Sequence, residues 1–113
     1  MLLVDDEPDV RRMLAFFLES LGFRVIGEAG DGDRALELLG SLQPDAVILD
    51  LQMAGLDGFE ALPRVRRLAP ETRIVVYSGH IPPGVDELAA ALGADAVVRK
   101  GSPLAEVEAA LRG

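Results

Sequence analysis

The chain contains no cysteine, so neither a disulfide frame nor a thiolate metal site can be built from it. No apolar run approaches the roughly 18–20 residues that a membrane-spanning helix needs. The N-terminus passes from Met1 through Leu2-Leu3-Val4 directly into acid, without a basic n-region or a small-residue cleavage site. These absences set the expectation of a cytoplasmic protein with no membrane association. Basic charge is scarce as well: the net charge of −8 argues against direct nucleic-acid binding, which calls for a basic face. Ten of the eleven basic residues are arginines, so Lys100 is the only lysine, and His80 is the only histidine. No G-x-G-x-x-G follows the first apolar run, which speaks against a flavin or dinucleotide role. There is no linker or low-complexity tract, and 113 residues suffice for one domain with an ordinary core.

What is present is a strict alternation of short apolar runs and helical stripes. Leu2–Val4 ends in Asp5-Asp6-Glu7, and Pro8 suits the first turn of a helix that carries Val10, Leu14, Phe17 and Leu18 and closes at Gly22. A weaker strand over Arg24–Ala29 is interrupted by Gly27, and a Gly30–Gly32 turn precedes a helix over Asp33–Leu42. Pro44–Gly58, PDAVILDLQMAGLDG, is the central stretch: a buried strand running into Asp50, then a helix with Phe59, Leu62 and Val65 whose first turns tolerate Pro63. Arg73–Tyr77 is a fourth strand ending in Ser78-Gly79-His80, followed by a helix over Val85–Leu92 capped by Gly93. Asp95–Val98 is a fifth strand running into Arg99-Lys100, and Ser102 as N-cap with Pro103 at the first helical position opens the last helix. Five strand–helix units with short connections predict an α/β fold, an open doubly wound parallel sheet.

In such a sheet, ligands bind beyond the carboxyl ends of the strands. The residues expected there are Asp5, Asp6, Asp50, Ser78 and Lys100. Taken singly, each has a plain structural reading: helix-start acids, a capping aspartate, a turn serine, a solvated lysine. Jointly they read differently. Two like charges at ~4 Å repel by ~4 kcal/mol at an effective dielectric of 20. A divalent cation relieves that, and all-oxygen ligation suits Mg²⁺. Metal, carboxylate nucleophile, lysine and hydroxyl are the parts needed for phosphoryl transfer onto an aspartate.

The motifs LLVDDEP, VILDLQMAGLDG, VVYSG and GADAVVRKGSP, in that order over the whole chain, resemble the receiver domain of bacterial two-component response regulators. The resemblance implies a (βα)5 flavodoxin-like fold with strand order 2-1-3-4-5, and residues 1–113 as a single receiver domain. It implies that Asp50 is the phosphoacceptor, served by a sensor histidine kinase or a histidine phosphotransfer protein. It implies further that Asp6 binds Mg²⁺ directly, Asp5 mainly through water, and Gln52 through its backbone carbonyl. Ser78 would hydrogen-bond the phosphoryl group and Lys100 would pair with it. The KGSP ending is similar to that of receivers preceding a LuxR-type helix-turn-helix, which implies transcription control, with DNA contacted only through an output domain outside this chain.

The implied switch draws Ser78 inward and reshapes the face of the fourth helix, fifth strand and fifth helix, roughly Val85–Leu111, where homodimerisation or output contacts are expected. Three positions depart from the family pattern. Ala54 stands where proline usually follows the methionine, Gly101 stands where a cis proline usually follows the lysine, and Val97 replaces the aromatic switch residue. Tyr77 is a candidate substitute for that aromatic. Competing readings are a Mg²⁺-dependent phosphatase acting through an aspartyl-phosphate and a phosphorylation-independent interaction module. The phosphatase lacks its general acid, because Gln52 stands two residues after Asp50.

Overall fold

The computed structural model describes residues 1–53 and 57–113. Ala54 therefore lies outside the described residues, as do Gly55 and Leu56. The elements alternate as expected: β1 (Leu2–Val4), α1 (Pro8–Ser20), β2 (Gly27–Ala29), α2 (Gly32–Leu42), β3 (Ala46–Leu49), α3 (Gly58–Leu68), β4 (Arg73–Ser78), α4 (Val85–Leu92), β5 (Ala96–Arg99) and α5 (Leu104–Arg112). All strand pairs are parallel and the order is β2-β1-β3-β4-β5, the flavodoxin-like arrangement.

The apolar runs of β1, β3 and β4 are buried on both faces, and their period-2 alternation divides them between two layers. Leu2, Val4, Val47, Leu49, Ile74 and Val76 point into one core with α2, α3 and α4. Leu3, Ile48, Val75 and Tyr77 point into the other with α1 and α5. No helix among the described residues is long and apolar enough to cross a membrane.

Several boundaries differ from the sequence reading, each for a local reason. β2 begins only at Gly27, where a Cβ would come within 2.8 Å of a Leu42 methyl, so the glycine lets the strand close on α2. β4 extends to Ser78, which pairs with Arg99, and β5 covers Ala96–Arg99 because Asp95 is held before it by Ile74. α5 starts at Leu104 with Pro103 in the N-cap position and no side-chain cap, since Ser102 is instead in a turn whose amide bonds Arg99. Pro63 is the sixth residue of α3 and so lies past the first turn, depriving the Phe59 carbonyl of its intrahelical donor. Gly22 closes α1 as expected: with φ 93° it allows Phe23 N–H to reach Leu18 and its own N–H to reach Glu19. No peptide bond among the described residues is cis, Lys100–Gly101 included, and Gly101 has φ 93°.

The end of the sheet away from the Asp50 strand terminus is fastened by Arg66. Its guanidinium donates to the Thr72 carbonyl at 2.7 Å, to the Gly93 carbonyl at 2.8 Å and to Asp95 Oδ2 at 2.7 Å, joining α3, α4 and the start of β5. A lysine cannot reproduce a planar fork that serves several carbonyls at once. Arg66→Lys is therefore expected to lower stability by about 1–3 kcal/mol, read from urea denaturation.

Candidate functional site

Strand register brings the expected residues together. Val4 pairs with Leu49, so Asp5 and Asp50 leave neighbouring strands side by side. The Asp50 amide still bonds the Val4 carbonyl at 2.9 Å and the Asp5 amide bonds Ala29 at 3.0 Å, which carries the ladder one residue past each strand. On the other side of β3, the Lys100 amide bonds the Ser78 carbonyl at 2.9 Å. The side chain of Lys100 can thus reach across the end of β4.

Both Asp50 oxygens are occupied. Oδ1 accepts from the Ser78 hydroxyl at 2.9 Å and from the Gln52 amide at 3.0 Å, while Oδ2 accepts from the Lys100 ammonium at 3.1 Å. The same ammonium lies 2.7 Å from Asp5 Oδ2 and 3.7 Å from Glu7. Asp5 Oδ1 accepts from the Glu7 amide at 2.9 Å. Asp5 and Asp50 are each 3% exposed and Ser78 is fully buried, whereas Asp6 and Gln52 are exposed. Carboxylate oxygens of Asp5, Asp6 and Asp50 all lie within 4.8 Å of one another.

Burial raises the Asp5 carboxyl above the usual carboxylate value; Lys100 and the Glu7 amide oppose the rise, and the charge of Asp50 adds to it. For Lys100, burial acts to lower the value. The hydrogen bonds to Asp5 and Asp50 and their charges outweigh it and hold the ammonium above its ordinary range. Three carboxylates against one ammonium leave the cluster net negative, and an all-oxygen donor set suits a hard divalent cation.

Three contributors were not legible beforehand. The Gln52 amide donates to Asp50, Glu7 reaches toward Lys100, and Arg11 braces the acidic loop. The Arg11 guanidinium donates to the Asp5 carbonyl and pairs with Glu28 on β2 at 3.0 Å. An arginine one helical turn after an acidic loop was the only available signal. Ser78 is inward and bonded to Asp50 in this structure. Tyr77 is 3% exposed within the core that also holds Val98 and Val107. His80 is exposed and makes no side-chain hydrogen bond or ion pair among the described residues.

The family model described as the response regulator receiver domain matches residues 1–112. The chain belongs to that family. It is 38% identical over 112 residues to the transcriptional regulatory protein LiaR of Bacillus subtilis, covering 98% of this chain and 53% of LiaR. The chain thus spans about half the length of that relative. Among solved structures it resembles a two-component response regulator of the LuxR family from Aurantimonas, with TM-score 0.90, 34% identity and coverage of 99% of this chain and 84% of that one. A response regulator from Burkholderia pseudomallei, solved with a phosphorylated aspartic acid, calcium ion and citrate, matches with TM-score 0.90 and 29% identity, over 97% of this receiver and 64% of that protein.

The raised Asp5 carboxyl gives this receiver a pH signature. A group whose folded-state value exceeds its unfolded value contributes stability that is present below the unfolded value and lost as pH rises through the folded one. Asp5→Asn removes that loss. In metal-free protein the variant should have the higher urea midpoint at pH 7, and the difference should shrink as pH falls through the raised folded value and level off below about 4, the unfolded aspartate range.

Proposed function

We propose that this receiver accepts a phosphoryl group on Asp50 from the phosphohistidine of a sensor histidine kinase or a histidine phosphotransfer protein. The observation that carries this reading is the arrangement on one carboxylate: a buried hydroxyl on Oδ1, the only lysine of the chain on Oδ2, and two further acids within 4.8 Å. An Asp50 oxygen attacks phosphorus, the P–N bond to the donor imidazole breaks, and a P–O bond to the carboxylate forms. Lys100 then pairs with the phosphoryl oxygens, and the Ser78 hydroxyl exchanges Asp50 Oδ1 for one of them.

The oxygen donors fit Mg²⁺, with Asp6 as a direct ligand, Asp5 acting mainly through water, and Asp50 and the Gln52 backbone carbonyl completing the protein's share. When bound, the ion would offset the charge gathered between the acids and the incoming phosphoryl group. We assign no other enzymatic turnover to the domain beyond formation and loss of its own phosphoryl group.

Signal leaves through the loop between β4 and α4. Arg99 on β5 donates to the Ile81 carbonyl of that loop at 2.7 Å, a tether that does not need an aromatic at position 97. The face formed by α4, β5 and α5 is then the surface for homodimerisation or output. Relatives named as transcriptional regulators support an output domain that binds DNA and follows the receiver.

Incubation with acetyl phosphate and Mg²⁺ should label wild-type protein and leave Asp50→Asn unlabelled, as read by intact mass. Equal labelling of the two would end the assignment. Chelation of Mg²⁺ should abolish labelling. Ser78→Ala and Lys100→Ala should each slow it by about 100- to 1,000-fold, the scale of losing one donor to a developing charge.

A further inference from the structure

We infer that Gly58 is a positioning residue for phosphoryl acceptance, holding the backbone of Asp50 where its carboxylate can react. The inference rests on the Asp50 phosphoacceptor reading. Gly58 is the first residue of α3, and its backbone is not in the left-handed region, so the glycine is not required by its φ. It is required by space. A Cβ at this position would stand 2.1 Å from the Asp50 carbonyl oxygen, 2.5 Å from Leu51 Cα and 2.9 Å from the Asp50 carbonyl carbon. All three neighbours are backbone atoms, so no side-chain rotation relieves the overlap. The close approach is also used: the Gly58 amide donates to the Leu51 carbonyl at 3.2 Å, tying the start of α3 to the residue after the phosphoacceptor.

The consequence falls on Asp50 because both sides of the contact are anchored. α3 is fixed by the buried side chains of Ala61, Leu62 and Val65, and Asp50 continues the ladder to Val4. A side chain at position 58 must separate them by about 1 Å, a misplacement that can slow a positioned reaction about a hundredfold. Gly40 is the contrast within the same chain, since a Cβ there meets nothing within 4 Å. Gly27 is a milder one, because the atom in its way is the end of a Leu42 side chain that can turn aside.

The test compares wild type, Gly58→Ala, Gly40→Ala and Val107→Ala. Val107 is fully buried in the opposite core layer and reports what general destabilisation does. Two quantities are read: the rate of labelling by acetyl phosphate at saturating Mg²⁺, and the NMR amide positions of Asp50, Leu51 and Gln52 in metal-free protein. Gly58→Ala should slow labelling about a hundredfold and shift those amides. Val107→Ala should stay within about threefold of wild type and leave them in place, while Gly40→Ala behaves as wild type. A Gly58→Ala rate within threefold of wild type, an equal loss in Val107→Ala, or an unfolded Gly58→Ala would each overturn the positioning role. If wild-type labelling does not depend on Asp50, the phosphoacceptor reading fails. The amides still decide for Gly58: unmoved resonances would refute it.

Discussion

Everything at the carboxyl end of this sheet depends on one ammonium held between two buried carboxylates. Asp5 and Asp50 are placed side by side by the β1–β3 register, and neither is open to solvent. Unpaired, two such charges would resist burial strongly. Lys100 answers both, at 2.7 and 3.1 Å, by reaching from β5 across the end of β4. A lysine suits this task better than the arginine that the chain uses everywhere else. Its compact charge and rotatable donors can serve oxygens on separate strands, where a guanidinium fork would favour a single carboxylate. The arrangement is also incomplete by design of charge, since Asp6 and Glu7 keep the cluster negative and receptive to a cation.

That balance explains why the site reads as poised. Asp50 has a donor on each oxygen, so the carboxylate proposed as nucleophile is oriented but not free of partners. The proposed phosphoryl group would add roughly −1.5 to −2 charge and three acceptor oxygens at this spot. The donors that now hold the carboxylate are the ones best placed to hold the phosphoryl group, so the change is an exchange of partners more than a large movement.

The fold was legible because its signals were local and repeated. The apolar runs of β1, β3 and β4 marked strands buried on both faces, and clusters of Gly, Pro and Asp marked most of the connections. The clustering at the candidate site was legible because the residues past four strand ends are Asp5 and Asp6, Asp50, Ser78 and Lys100, a set that makes chemical sense only together. What stayed hidden depends on approach in three dimensions. Arg11 and Arg66 were two among ten arginines until the fold showed which carbonyls they reach. Gly58 looked like turn punctuation, and only the packing of α3 on the Asp50 backbone reveals it as a space requirement. Pro63 misled for a related reason: its meaning turns on where α3 begins, and boundaries are the weakest product of periodicity.

The same packing identifies where an exchange of partners at Ser78 can be felt. The Ser78 side chain is fully enclosed, and its carbonyl is bonded to the Lys100 amide, so under the proposed function a change at its hydroxyl would be passed to the β4–β5 pair and the loop that follows. That loop leads into α4, which has eight residues and buries only Ala89, with Leu88 half exposed. α3, by contrast, buries Ala61, Leu62 and Val65 in addition to Gly58. An element with so little apolar anchorage sits at the low end of local stability. In the proposed switch it would yield first when its leading loop is pulled. The Arg99–Ile81 hydrogen bond ties β5 to that loop. A valine at position 97 therefore need not silence the switch, because the response can be carried by a weakly anchored helix and a backbone tether in place of a rotating ring.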